Sequence, residues 1–165
     1  MLKIHTIGGY DEIGKNMTAV EMENDVVLFD CGLYLPAIVG VQERERIATE
    51  RGMRALGALP NDLYLDKKNL RNKVKSILVS HAHLDHVGAI PYLSHRYKAP
   101  VISTPFTVEV LKALLADNGH RIPNRIIPIN PNSSYKIKGK NRYKVEFIHV
   151  THSTPQSTMI ALHTN

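Results

Sequence analysis

The strand and helix signals predict a chain of the α/β class, with a mixed sheet and flanking helices. Three observations carry that prediction. Short apolar runs of strand character recur between residues 2 and 29. From residue 77 to residue 116, short apolar strands are interleaved with helix-prone stretches. After residue 133 the pattern returns to strands around a turn signal.

Strands are expected first at Leu2–Ile7, Met17–Glu23 and Val26–Phe29. The Gly-rich segment Gly8–Gly14 joins the first two, and Asn24-Asp25 signals a hairpin between the others. Gln42 to about Leu56 is charged and helix-prone, with Gly52 as an interruption. Ile77–Ser80 reads as a short apolar strand, and a helix is expected over Gly88–Tyr97, where Pro91 fits only in the first turn. Val101–Ser103 reads as a strand. Thr107–Ala116 reads as a helix with Leu111, Leu114 and Leu115 on one face, stopped near Asn118-Gly119. Ser134–Lys138 and Tyr143–Val150 flank the hairpin signal Gly139-Lys140-Asn141, and Met159–His163 is the last strand.

Composition narrows the class. The chain has 165 residues, 43% hydrophobic, with a net charge of +6. This apolar content excludes a disordered chain, and the single cysteine, Cys31, excludes a disulfide scaffold. No apolar run approaches the roughly 18 residues of a membrane span. These features predict a soluble cytoplasmic protein. The charge is uneven: residues 1–66 carry 6 basic and 11 acidic side chains, and residues 67–165 carry 15 and 4. A basic half favours a polyanion such as nucleic acid, although a solvated lysine surface gives the same count. Lys136, Lys138, Lys140, Arg142 and Lys144 form the densest cluster and read as a solvated hairpin rim.

The chemistry concentrates in Ser80-His81-Ala82-His83-Leu84-Asp85-His86-Val87-Gly88. Four of the six residues from His81 to His86 are metal-ligand types, delivered by a strand to a loop. His81 and His83 point the same way from an extended turn, whereas Asp85 and His86 are expected to diverge, so one loop serves two neighbouring metals. Imidazole with carboxylate suits zinc best, with iron or manganese as alternatives. His152 follows Val150 at a strand end in a Ser/Thr-rich loop and is a further ligand candidate. Its rival His149 alternates with Phe147 and reads as a core residue. His5 and His163 lie in strands, and His95 and His120 read as solvated helix-end or loop residues. Cys31 reads as small and buried.

HxHxDH after a strand, with Gly88 close behind, resembles the signature of the metallo-β-lactamase fold. Three further segments resemble its β-CASP nucleases, in the RNase J branch of archaeal type: Gly8-Gly9-Tyr10-Asp11-Glu12-Ile13-Gly14-Lys15-Asn16, Phe29-Asp30-Cys31-Gly32 and Thr151-His152-Ser153-Thr154-Pro155-Gln156-Ser157. The four motifs stand in family order and span nearly the whole chain, with Val41–Asp66 as a variable insertion. The resemblance implies an αββα sandwich, of which residues 1–165 form the N-terminal part. It implies that His81, His83 and His152 bind one metal and that Asp85 and His86 bind a second and act in catalysis. Asp30 then stands behind them as an orienting carboxylate. Lys15 and Asn16 position phosphate or shape the loop. The implied activity is two-metal, zinc-dependent (or Mn2+-dependent) hydrolysis of RNA, 5′→3′ exonucleolytic with an endonucleolytic mode open. A homodimer is implied for the full-length family.

The family pattern also requires an aspartate after the His152 motif, a late histidine and the β-CASP insert that forms the RNA groove. No Asp follows Asp117 in the sequence. The expectation is therefore an incomplete chain, weakly active or inactive alone, with fewer than two metals bound. Other readings are a cleavage-and-polyadenylation-type β-CASP endoribonuclease, a glyoxalase II-like hydrolase, and a fragment that binds RNA without cutting it.

Overall fold

The computed structural model describes residues 1–39, 41, 48–117 and 119–164. Six strands form the first sheet in sequence order: β1 (Leu2–Gly8), β2 (Met17–Met22), β3 (Asp25–Phe29), β4 (Val74–Leu78), β5 (Val101–Ser103) and β6 (Ile126–Pro128). β1, β2 and β3 pair antiparallel, and β3 to β6 run parallel. A second sheet is the antiparallel meander β7 (Ser133–Lys138), β8 (Arg142–His149) and β9 (Thr158–His163).

Alternation along the central strands builds two cores. Val26, Leu28, Ile77 and Val101 face one apolar cluster with Met53, Leu65, Val87, Ile90, Leu93 and Leu111 from the helices. Val27, Leu78 and Ile102 face the other, with Ile137, Tyr143, Val145 and Phe147 of the second sheet. The central strands are therefore apolar on both faces, as parallel strands covered on both sides must be. The layers run helices, mixed sheet, second sheet. The outer face of the last carries Ser134, Lys136, Lys138, Arg142 and Lys144, all exposed. Asp25, 1% exposed, accepts backbone hydrogen bonds from Lys140 (2.6 Å) and Asn141 (3.3 Å), which pins the β7–β8 turn to the first sheet.

The helices are α1 (Glu50–Ala55), α2 (Leu63–Lys67), α3 (Leu84–Val87), α4 (Ile90–Leu93) and α5 (Pro105–Asp117). The expected Gln42–Leu56 helix is described only as α1, which runs through Gly52, since 42–47 lie outside the described residues. The expected stop at Asn118 also lies outside them. The expected Gly88–Tyr97 helix is broken into α4, with Pro91 in its first turn, and a 3₁₀ turn at Ser94–Arg96. The helical path begins earlier, at α3, so Asp85 and His86 lie in a helical turn rather than a loop. The turn after β2 falls on Glu23-Asn24, one residue early, with Glu23 at positive φ. β6 has no counterpart among the expected strands. It is three residues long and ends on Pro128, a pattern compatible with a sheet edge but too short to signal a strand.

Candidate metal centre

β3 and β4 are parallel, so Asp30 and Ser80 emerge side by side at the same sheet end. The Asp30 N–H bonds the Leu78 carbonyl (2.8 Å), and the Asp30 carboxylate receives the Ser80 N–H at 2.8 Å and the Ser80 hydroxyl at 2.9 Å. Its second oxygen lies 2.8 Å from His86 Nδ1. Asp30 adopts φ 59°, a left-handed conformation that Asp tolerates better than most residues. That conformation turns the carboxylate back under the metal-ligand motif.

The chain after Asp30 lies directly against the motif. The Cys31 N–H bonds the His86 carbonyl (2.7 Å), the Leu33 N–H bonds the Leu84 carbonyl (2.9 Å), and the Ala89 N–H bonds the Cys31 carbonyl (2.9 Å). Gly32 is required at the closest point: a Cβ there would fall 1.6 Å from the Asp85 carbonyl oxygen. Cys31 is fully buried, and burial, then the Asp62 and Asp30 charges, hold its thiol well above its usual range. It is the packing residue expected.

The Gly8–Asn16 segment closes a third side. Gly9, at φ 84°, leaves no room for a Cβ beside Asn16. The Asn16 side-chain amide donates to the Asp85 carbonyl oxygen (3.0 Å) and carboxylate (3.1 Å), and lies 3.2 Å from His86 Nε2. Asn16 therefore grips the metal-ligand motif, which sequence reasoning left undecided. Lys15 is engaged locally, 3.4 Å from Glu12 and over the Tyr34 ring.

His81, His83 and His152 converge, with ligand nitrogens all within 4.8 Å of one another. His152 does not end a strand. β8 stops at His149, and His152 is carried by the loop between β8 and β9. That loop is fixed by Val150 N–H to the Ser157 carbonyl (3.0 Å), by Ser157 and Thr154, and by Gln156, which accepts the Phe106 N–H (2.9 Å). Thr158 then bonds the Ser80 carbonyl through both N–H and hydroxyl, which ties the second sheet to the base of the motif. His149, expected in the core, is exposed: β8 ends there, past the covered part of the sheet face. His5 is engaged by Glu21 and Tyr64, and His163 by Glu146.

The hydrogen bonds assign the ring faces. Ser80 Oγ lies 2.9 Å from His81 Nδ1, which leaves Nε2 toward the cluster. Ser153 Oγ lies 3.0 Å from His83 Nε2, which leaves Nδ1, 3.1 Å from His81 Nε2. Burial, then the neighbouring His86, push the His81 imidazole down to about 4, so it is neutral and a competent donor at neutral pH. Asp85 and His86 do not diverge: Asp85 Oδ2 and His86 Nε2 approach to 3.4 Å, and the His86 ring lies 4.1 Å from that of His81. Burial lowers the His86 imidazole, but the hydrogen bond and charge of Asp30 outweigh it and the net shift is upward. Three convergent imidazoles beside a carboxylate–imidazole pair, with the His81, His83 and His86 rings each held by a hydrogen bond, suit a divalent metal ion.

The sequence pattern of the Metallo-beta-lactamase superfamily matches residues 10–163. The chain belongs to this superfamily. Its α/β fold agrees with solved members: a subclass B3 metallo-beta-lactamase of Bradyrhizobium japonicum superposes over 98% of the chain and 54% of its own (TM-score 0.60, 14% identity). A protein of unknown function from Enterococcus faecalis superposes over 98% of the chain and 40% of its own (TM-score 0.70, 19% identity). Among curated relatives, Ribonuclease J of Methanocaldococcus jannaschii is 39% identical over 99% of the chain, and that of Pyrococcus abyssi is 36% identical over 99%. The chain spans 36% of the length of each. No described helix is long and apolar enough to cross a membrane.

Proposed function

We propose that the chain supplies the metal-binding part of a metal-dependent ribonuclease that hydrolyses RNA phosphodiesters in the cytoplasm, in the manner of Ribonuclease J. The observation that carries this reading is the His81, His83, His152 cluster set against the Asp85–His86 pair. The 39% identity to an archaeal protein named Ribonuclease J supports RNA as the substrate class.

His81, through Nε2, and His83, through Nδ1, hold one ion together with His152. Asp85 and His86 offer donors to a second. Zinc is the metal that best suits this donor set, with manganese as the alternative. A divalent ion here supplies Lewis acidity toward a phosphoryl oxygen and makes water acidic near neutral pH. Asp30 holds the proton of His86 on Nδ1, which leaves Nε2 unprotonated beside Asn16 and Asp85. Asn16 holds the Asp85 carboxylate beside it, and Ser80 and Ser153 fix the His81 and His83 rings.

The test assays zinc- or manganese-loaded protein on 5′-monophosphorylated single-stranded RNA and on a glutathione thioester, beside a His81→Ala control. Zinc binding by isothermal titration should weaken at least about tenfold in the control. Any RNA cleavage should disappear with it. Thioester hydrolysis without RNA cleavage, or zinc affinity indifferent to His81, would overturn the reading.

A further inference from the structure

A second site lies at the other end of the parallel strands. The Ile77 N–H bonds the Pro100 carbonyl, and the Val101 N–H bonds the Arg125 carbonyl. Pro100 and Arg125 are therefore level with Ile77, three residues before Ser80, or about 10 Å along the strand from the metal-ligand motif. Here a cleft of ≈ 580 Å³ opens between the segments that lead into β5 and β6, with Tyr135 of β7 in its lining. That volume is in the range of small-molecule sites.

The lining is basic. Lys98 and Arg125 line it, and both are exposed. Neither has an acidic partner among the described residues, a state they share with other exposed cations such as Lys67, Arg121 and Lys136. Among the described residues, no carboxylate lines the cleft. His95, also in the lining, is the exception in being engaged, 3.4 Å from Glu50. Two uncompensated cations facing one concave space hold a positive potential that an anion relieves.

The lining is also aromatic and built in advance. Tyr135 and Ile127 belong to the apolar packing between the sheets and extend into the cleft wall. Asn124 ties the two walls together: its side-chain amide donates to the carbonyls of Ser94 (2.9 Å), Tyr97 (2.8 Å) and Ala99 (2.8 Å). Cations for a phosphate beside a ring for a base are the two halves of nucleotide recognition, and stacking on an aromatic ring is tolerant of base identity. We propose that this cleft binds a nucleoside phosphate, either as a free nucleotide or as one nucleotide of an RNA strand. The site is separate from the metal centre and stands whether or not that centre cleaves RNA.

The test uses the 165-residue chain in chelator, which takes the metal centre out of play. Adenosine 5′-monophosphate and a short single-stranded oligoribonucleotide are titrated and followed by amide chemical shifts. Saturable binding is expected, with shifts at Lys98, Arg125 and Tyr135. The Lys98→Ala/Arg125→Ala double variant, both positions being exposed, should keep its amide spectrum elsewhere and bind at least about tenfold more weakly. Tyr135→Leu should weaken the nucleotide but not inorganic phosphate. Comparable affinity for the mononucleotide and the oligonucleotide assigns a free nucleotide, and an oligonucleotide at least tenfold tighter assigns an RNA strand. No saturable binding of either up to about 10 mM, or affinity unchanged in the double variant, would overturn the proposal.

Discussion

Asp30→Asn isolates what the buried carboxylate does, because it changes one atom and a charge without changing shape. Asn tolerates the left-handed backbone at this position as Asp does, so the φ of 59° adds no new strain. If the amide oxygen takes the place of Oδ1, it still accepts the Ser80 N–H. The amide nitrogen then faces His86 Nδ1 at the former 2.8 Å. That nitrogen only donates, so Nδ1 must accept and the imidazole proton moves to Nε2. Nε2 is the atom that faces Asp85 Oδ2 at 3.4 Å, so protonation there removes a donor from the second ion. If the amide flips instead, the Ser80 N–H faces an amino group and loses its acceptor. Either way a charge-assisted hydrogen bond is lost, about 1.5–3 kcal/mol of local stability. Removing such an orienting partner weakens metal affinity about 10–100-fold. Chelator-competition titration with zinc measures the affinity, and long-range ¹⁵N–¹H spectra of the imidazoles report the tautomer. A variant whose His86 still carries its proton on Nδ1, with zinc affinity within about twofold of the parent, would refute the assignment of Asp30 as the orienting group.

Two further outcomes follow from the same geometry. Gly32→Ala should destabilise the fold by at least about 3 kcal/mol, because its Cβ would overlap the Asp85–His86 peptide and backbone cannot yield there as a side chain would. Thermal melts of metal-free protein measure this, and a melting temperature equal to the parent's would refute the contact. His81 is the pH-sensitive member of the cluster. Its folded value, near 4, lies below the ordinary imidazole value of 6.5, so the unfolded chain binds the proton first. Metal-free protein should therefore lose stability as pH falls from 6.5 through 4, by roughly 3 kcal/mol at most from this group. Melts across that range, compared with His81→Ala, should show a flatter slope in the variant, and an NMR midpoint for His81 near 6.5 would exclude the shift.

The parts of this molecule legible in its sequence are those whose cause is local. β1 to β5, β7, β8 and β9 announce themselves by alternation or by short apolar runs. The turn at Gly139–Asn141 announces itself by its residues. HxHxDH, six consecutive residues, concentrates ligand types strongly enough to be seen without any fold. What was hidden is set by contacts across the chain. Asn16 reaches Asp85 over 69 positions, and Ser80 reaches Asp30 over 50, and no periodicity encodes either. His149 shows the limit of periodicity itself. The alternation that correctly buries Tyr143, Val145 and Phe147 assigns His149 to the same face, yet that face is no longer covered at the strand's last residue. Alternation reports which side a residue is on, and burial depends on whether another layer extends that far. The same reasoning separates His149 from His152. Three residues past the strand end, His152 is freed from the pleat, and a loop pinned internally by Thr154 and Ser157 and to Phe106 by Gln156 can turn the imidazole toward His81 and His83. A ligand brought in from the second sheet to a motif on the first makes assembly of the two sheets a condition for closing the three-imidazole cluster. Metal binding at that cluster is then coupled to the packing of Val27, Leu78 and Ile102 against Val145 and Phe147, because those contacts hold the two sheets in the register that brings His152 home.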